Sequence, residues 1–303
     1  MTGIDRDLGE LVLGSIREAL VRSAHDIGAA LADFGWAELA ATDEPFAFTA
    51  LFEEQGYLGV DTDALDVVLT GELGLGNAAS VIWRPVASVD GAIEGIALRG
   101  VEGAGRSLLV SVNGVLRRLE AESVEEAPLG GMASDTRWVR VRIEGSSTEI
   151  GFSWPIVERK ARLAVASELV GVSRRIIDVA VAQVSDRRQF GQPIGAYQAV
   201  RHRLAEAYAE MVGARGLVAA AWENGSETAS IAALAVAAPA HDAVAKHAIQ
   251  VCGAIGLSEE HELPRLVRRG FALDALVRPD APEHVTLGHA LRTAEPPAAV
   301  GIF

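Results

Sequence analysis

Cysteine, aromatic side chains and basic charge are all scarce in these 303 residues, and each scarcity excludes something. A lone cysteine, Cys252, cannot form an intrachain disulfide, which suits a reducing compartment. Aromatics make up only 5 %, so Ala, Val and Leu must build most of the core, a composition that favours closely packed helices. Lys and Arg number 27 against 41 Asp and Glu, a formal charge of −14. A chain this acidic repels phosphate backbones, so no nucleic acid is expected as a partner. Local arginine clusters still leave room for a small anionic cofactor. No run of about 18 apolar residues free of charge occurs, so no membrane span is expected. Met1 to Glu10 carries Asp5, Asp7 and Glu10, with no positive region leading into an apolar stretch. No secretory signal is therefore expected, and the expected location is cytoplasmic.

What is present falls into three segments: 1–78, 79–155 and 156–303. In the first, Leu8, Leu11, Leu13, Ile16, Leu20 and Val21 recur at roughly helical spacing, followed by Ile27, Leu31, Phe34 and Trp36. Thr62 can cap a further helix from Asp63 to Leu73, which Gly74 ends. The second segment is strand-like. Val81-Ile82-Trp83, Ile96-Ala97-Leu98, Leu108 to Val112 and Trp138 to Ile143 are its runs, the last alternating apolar and charged residues. Asn113-Gly114 is a strong hairpin turn between Leu108–Val112 and the short run Val115-Leu116. A small antiparallel β domain is expected. Helical periodicity returns near Glu158 and lasts to Asp186. Gln189 to Gly195 interrupts it, and helices are expected from Ala196 to Asn224, from Ser230 to Cys252, and from beyond Gly256 to Ala275. Pro239 is expected to kink or break the second of these, and the tail after Pro279 to be irregular. The expected fold class is mainly α with a small β domain, ending in a four-helix bundle.

Two segments of the last third carry specific motifs. Asp186-Arg187-Arg188-Gln189-Phe190-Gly191-Gln192-Pro193-Ile194 leads into Gln198-Ala199-Val200-Arg201-His202-Arg203-Leu204-Ala205. This resembles the R-x-x-F-G-x-x-[IL]…Q-x-[VI]-x-[HF]-x-[LI]-A pattern of the acyl-CoA dehydrogenase family. Gln250-Val251-Cys252-Gly253-Ala254-Ile255-Gly256-Leu257, with Glu260 and Arg268, resembles that family's Q-x-x-G-G-x-G-[FL]-x-x-E…R, Ala254 replacing one glycine. Phe34-Gly35-Trp36-Ala37 and Gly71-Glu72-Leu73-Gly74 are weaker echoes in the first segment. The resemblance implies a helical domain, a β domain and a helical bundle. It implies oxidation of an acyl-CoA thioester to the α,β-enoyl-CoA with FAD, a carboxylate taking the α-proton. It implies that Arg187, Gln189, Phe190, Gln250 and Gly253 meet the adenine and pyrophosphate of a neighbouring subunit's FAD. A guanidinium complements a pyrophosphate, and glycine lets backbone approach it.

Departures from the family matter equally. Nothing in the β segment reads as the family's T-E-P-x-x-G-S-D, which helps hold the flavin. The catalytic glutamate's usual place falls near Val277 or Arg278, and an alternative place on the first bundle helix falls near Ala161. None of these is a carboxylate. Glu168, inside an apolar run, and Glu260 remain as candidate bases. Glu168 could instead pair with an arginine, and Glu260 could be part of the solvated run 259–262. Arg162 matches a substrate-contacting position of some relatives, or belongs to a solvated helix start with Arg159 and Lys160. Short members of the family pair with a second, different subunit and take bulky or steroid-derived acyl-CoA substrates, so a second acyl-CoA dehydrogenase-like subunit is implied as partner. Two rival roles stand beside the enzyme: a non-catalytic partner of an active dehydrogenase, and a non-redox acyl- or CoA-binding module. The seven histidines show no metal-ligand spacing, and no G-x-G-x-x-G follows a strand.

Overall fold

Short caps punctuate the first third of the chain into five helices. The computed structural model describes residues 6–22, 26–75, 79–101, 107–278 and 283–293. Helix α1 is Arg6–Arg22, α2 Ile27–Phe34, α3 Trp36–Thr42, α4 Glu44–Leu58 and α5 Ala64–Glu72. Asp26 accepts from the Ala29 N–H at 3.2 Å and Asp43 from the Phe46 N–H at 3.0 Å, capping α2 and α4. Gly35, at φ +84°, ends α2 and opens α3. Periodicity does not single out α4, because it is buried almost all round from Ala50 to Gly56 and has no polar face to mark it.

Strands β1 (Ala79–Ala87), β2 (Ile93–Ala97), β3 (Ser107–Val112), β4 (Val115–Pro128) and β5 (Val139–Ser153) close into a barrel ordered β1-β2-β5-β4-β3. Ile82, Val110, Val141 and Ile143 fill it. Asn113 and Gly114 both have φ near or above +50°, the turn that joins Val112 to its partner Val115. Two expectations change here. The barrel closes through a parallel pairing of β1 with β3, so it is not wholly antiparallel. The run at Val115 continues to Pro128, its outer half exposed and polar and recognisable only by its pairing with β5.

The second half is a bundle of α6 (Trp154–Asp186), α7 (Gln198–Asn224), α8 (Glu227–Cys252) and α9 (Leu263–Val277), with α10 (Glu283–Thr293) beyond. Between α6 and α7 a two-residue ladder pairs β6 (Arg188–Gln189) with β7 (Gln192–Pro193). Helix α8 runs on unbroken through Pro239, which lies on an exposed face, so the expected break does not occur. By composition alone the stretch Glu227–Leu257 is apolar enough to cross a membrane, but half of that window is buried in the bundle. The tail expected to be irregular instead holds α10.

Helix α6 is the central strut, packed on α4, α7, α8 and α9. It meets α4 through a reciprocal glycine contact. A Cβ on Gly56 would lie 2.2 Å from the Glu168 carbonyl oxygen, and one on Gly171 would lie 2.0 Å from that of Glu53. Only glycine permits two backbones to come so close. Ion pairs flank the crossing: Arg17 holds Glu54 at 2.6 Å, and Arg215 holds Glu53 at 3.0 Å.

Candidate functional site

The C-terminal ends of α6 and α8 come together. Arg187 follows the last turn of α6, and its Nη1 donates to the Cys252 carbonyl at 3.2 Å. Gly253 comes next, at φ +69° and ψ −149°, a conformation open to glycine and closed to most side chains. A Cβ there would stand 3.6 Å from Arg187 Nη1. The two motifs, 65 residues apart along the chain, therefore form one surface, with Gln250 exposed in the last turn of α8. Burial pushes the Cys252 thiol up, leaving it a packing residue. The β6–β7 ladder projects beyond. At its tip Phe190 has φ +51° and is 93 % exposed, followed by Gly191 at φ +84°. A fully exposed phenylalanine in left-handed backbone is costly twice over, and such costs collect where a partner or ligand is met. Gln189 is exposed on the same ladder, and its carbonyl accepts from Tyr197 at 3.3 Å. A guanidinium, open glycine backbone, two amides and an aromatic face suit an anion joined to a flat ring.

A cleft of about 550 Å³ lies at the opposite end of α6. Since α6 has 33 residues, its ends stand about 50 Å apart. Three elements make the cleft. Strand β1 contributes Trp83 and Arg84, α6 contributes Trp154 and Glu158, and the end of α9 contributes Val277 and Arg278. The Trp83 and Trp154 rings are 5.9 Å apart, and Trp83 Nε1 donates to Asp66 at 2.9 Å. The pairing of β1 with β2 slips between Trp83 and Val86, and Arg84 takes φ +53° there. Such bulges re-aim side chains. Arg84 Nη1 reaches the Arg278 carbonyl at 2.5 Å. Glu158 is held at 2.8 Å by Arg162, which is itself buried.

Sequence reasoning missed Trp83, Arg84 and Glu158. A trace of signal existed: residues 83–90, Trp-Arg-Pro-Val-Ala-Ser-Val-Asp, keep Pro85 and Asp90 of the T-E-P-x-x-G-S-D pattern. Glu158 stands one helical turn before Ala161, on the same side of α6. Val277 and Arg278, where the resemblance puts the carboxylate, do line the cleft.

Neither proposed base reaches the cleft. Glu168 is 3 % exposed and sits in a buried network. Arg269 donates to its Oε1 from Nε at 2.9 Å and Nη2 at 2.6 Å, and Gln55 donates to Oε2 at 2.8 Å. Arg269 also pairs with Asp61 at 2.6 Å and lies over the Trp138 ring. Burial pushes the Glu168 carboxyl up, against the pull of Arg269 and Gln55. With both oxygens engaged it fastens α4, α6 and α9 together. Glu260 is exposed on the turn 258–262, a few residues beyond Gly253. Among the described residues, no group of three or more His, Cys, Asp or Glu is arranged to hold a metal.

Residues 159–272 match the family model described as acyl-CoA dehydrogenase, C-terminal domain. Over 144 residues the chain is 33 % identical to the acyl-CoA dehydrogenase IpdE2 of Mycolicibacterium smegmatis, covering 48 % of this chain and 46 % of that protein. Over 124 residues it is 38 % identical to the acyl-CoA dehydrogenase FadE34 of Mycobacterium tuberculosis, covering 39 % of this chain and 17 % of that one. The chain thus spans less than half the length of these curated relatives. Among solved structures, it superposes on a Tcur3481-Tcur3483 steroid ACAD variant with a TM-score of 0.76 at 19 % identity, covering 94 % of this chain and 98 % of that one. The ChsE4-ChsE5 complex of Mycobacterium tuberculosis gives 0.72 at 16 % identity, covering 97 % and 99 %.

Proposed function

Because the bundle of this chain is an acyl-CoA dehydrogenase C-terminal domain, we propose that the chain is one subunit of an FAD-dependent acyl-CoA dehydrogenase that desaturates an acyl-CoA thioester between its α and β carbons. The observation that carries this reading is the separation of two half-sites on α6. The Arg187–Gly253 surface and the cleft at Glu158 lie about 44 Å apart along α6, farther than an extended FAD can reach. No single copy can complete a site from both ends, so a neighbouring subunit must meet each half. Likeness to solved assemblies named for two different chains supports an unlike partner. One of those names specifies a steroid substrate, which makes a bulky ring-bearing acyl group the first substrate class to try.

The residues at the bundle end fit the cofactor. Arg187 would hold a pyrophosphate through charge-assisted hydrogen bonds, Gly253 would give its backbone to the same group, and Phe190 would lie against the adenine. Gln189 and Gln250 would hydrogen-bond around its edge. FAD, when bound, supplies a two-electron oxidant for the β C–H bond. A non-catalytic role for this subunit is favoured by one observation only, the absence of a carboxylate at Val277 and Arg278. The visible absorption spectrum tests the reading, with the chain purified alone and co-expressed with its genomic neighbour. The expected result is flavin bands near stoichiometric level in the co-expressed sample only. Flavin in the lone chain points to a homo-oligomer instead, and no flavin in either sample points to a non-redox acyl-CoA-binding module.

A further inference from the structure

Taking an acyl thioester as substrate from the reading above, we propose that Glu158 is the proton-abstracting base of a cleft this chain carries itself. Glu158 is the one carboxylate among the described residues lining that cleft. It is neither sealed in nor fully solvated, its side chain being 34 % exposed. Arg162, 6 % exposed, fixes Oε1 at 2.8 Å from below, and no described residue donates to Oε2. A carboxylate tethered through one oxygen at the wall of a cavity is oriented for proton transfer. The rest of the lining suits the same chemistry. Trp83, Trp154 and Val277 offer apolar wall for an acyl group, and Arg84 and Arg278 bring positive charge to the same space. The bulge that carries Arg84 at φ +53° is backbone strain located at the cleft, and not elsewhere on β1.

The step balances within the chain. The α C–H bond breaks and an O–H bond forms on Glu158. The electron pair stays with the substrate, delocalised onto the thioester oxygen, with Arg84 on the same wall and Arg278 beside it in an ion pair with Asp274. Reprotonation reverses the step, and the carboxyl proton exchanges with water, so no oxidant is consumed. Arg162 is a positioning residue that sets the direction of Glu158.

The test is α-hydrogen exchange. The co-expressed assembly is incubated with octanoyl-CoA, and in parallel with a ring-bearing acyl-CoA, in deuterium oxide, and α-deuterium is read by mass spectrometry. Calorimetry measures the binding of each thioester. The expected result is exchange by the wild type, with Glu158→Gln binding thioester comparably and exchanging at least about 100-fold more slowly. Glu158→Asp is expected to keep part of the rate, and it carries the test should the Gln variant not fold. Equal exchange by wild type and variant overturns the assignment, as does binding without exchange by the wild type; both leave the acyl-CoA reading standing. Failure of the wild-type assembly to bind either thioester removes that reading and this assignment together.

Discussion

Among the described residues, Arg269 supplies the only cation within hydrogen-bonding reach of buried Glu168, with two of its three nitrogens on one carboxylate oxygen. Removing one partner of such a pair strands the other charge. Arg269→Ala is therefore expected to cost about 3–5 kcal/mol of unfolding free energy, measured by urea denaturation. Glu168→Gln, which keeps the shape and loses the charge, should leave octanoyl-CoA exchange intact, because Glu168 lies outside the cleft. His241 gives a pH dependence. It is buried between α6, α8 and α9, near Ser173 and edge-on to Phe271, and burial holds its pKa down to about 4. The unfolded chain takes up this proton near pH 6.5, while the folded chain resists until about 4, so the unfolded state binds more protons between these values. Stability should fall by about 3 kcal/mol as pH drops from 6.5 to 4, and His241→Gln should flatten that part of the curve. The motifs that hold Arg187 and Gly253 were visible in the sequence because each is local, and the structure brings the two together. Glu158 was not, because its cleft is assembled from residues near 84, 158 and 278 that no linear pattern joins.

Among the elements, the α4–α6 crossing leaves no room for a methyl group. Gly171→Ala should force the helices apart and cost more than about 2 kcal/mol, or prevent folding. Gly213 lies on the exposed side of α7 with nothing within 4 Å of its missing Cβ. There the same substitution should stabilise the isolated chain by about 0.5–1 kcal/mol through helix propensity. Thermal melts of the two variants should move in opposite directions. The order of helices, strands and bundle could be read from hydrophobic period alone, because α1, β5 and α9 each show one wet and one dry side. Helix α4 was overlooked for the opposite reason, having no wet side. The outer half of β4 was overlooked because its two-stranded ribbon has almost no dry one.

For the whole molecule, the shared-site reading places Arg187 in a cofactor contact that a partner completes. Arg187→Ala should lower flavin affinity in the co-expressed assembly by about 10–100-fold, the worth of a lost charge-assisted hydrogen bond. Fluorescence titration with FAD measures this, and an unchanged affinity would count against Arg187 as a cofactor ligand. The variant's unfolding curve should match the wild type's, since Arg187 lies at a surface rather than in the core.

The length of α6 has a consequence for the behaviour of the protein in solution. A strut of about 50 Å holds the Arg187 surface and the cleft at opposite ends of each chain. On the shared-site reading, complete sites would form by the law of mass action: their number would follow the product of the two subunit concentrations, and surplus of either one would be inert. That reading predicts that dilution extinguishes turnover with a steep concentration dependence while every individual chain stays folded.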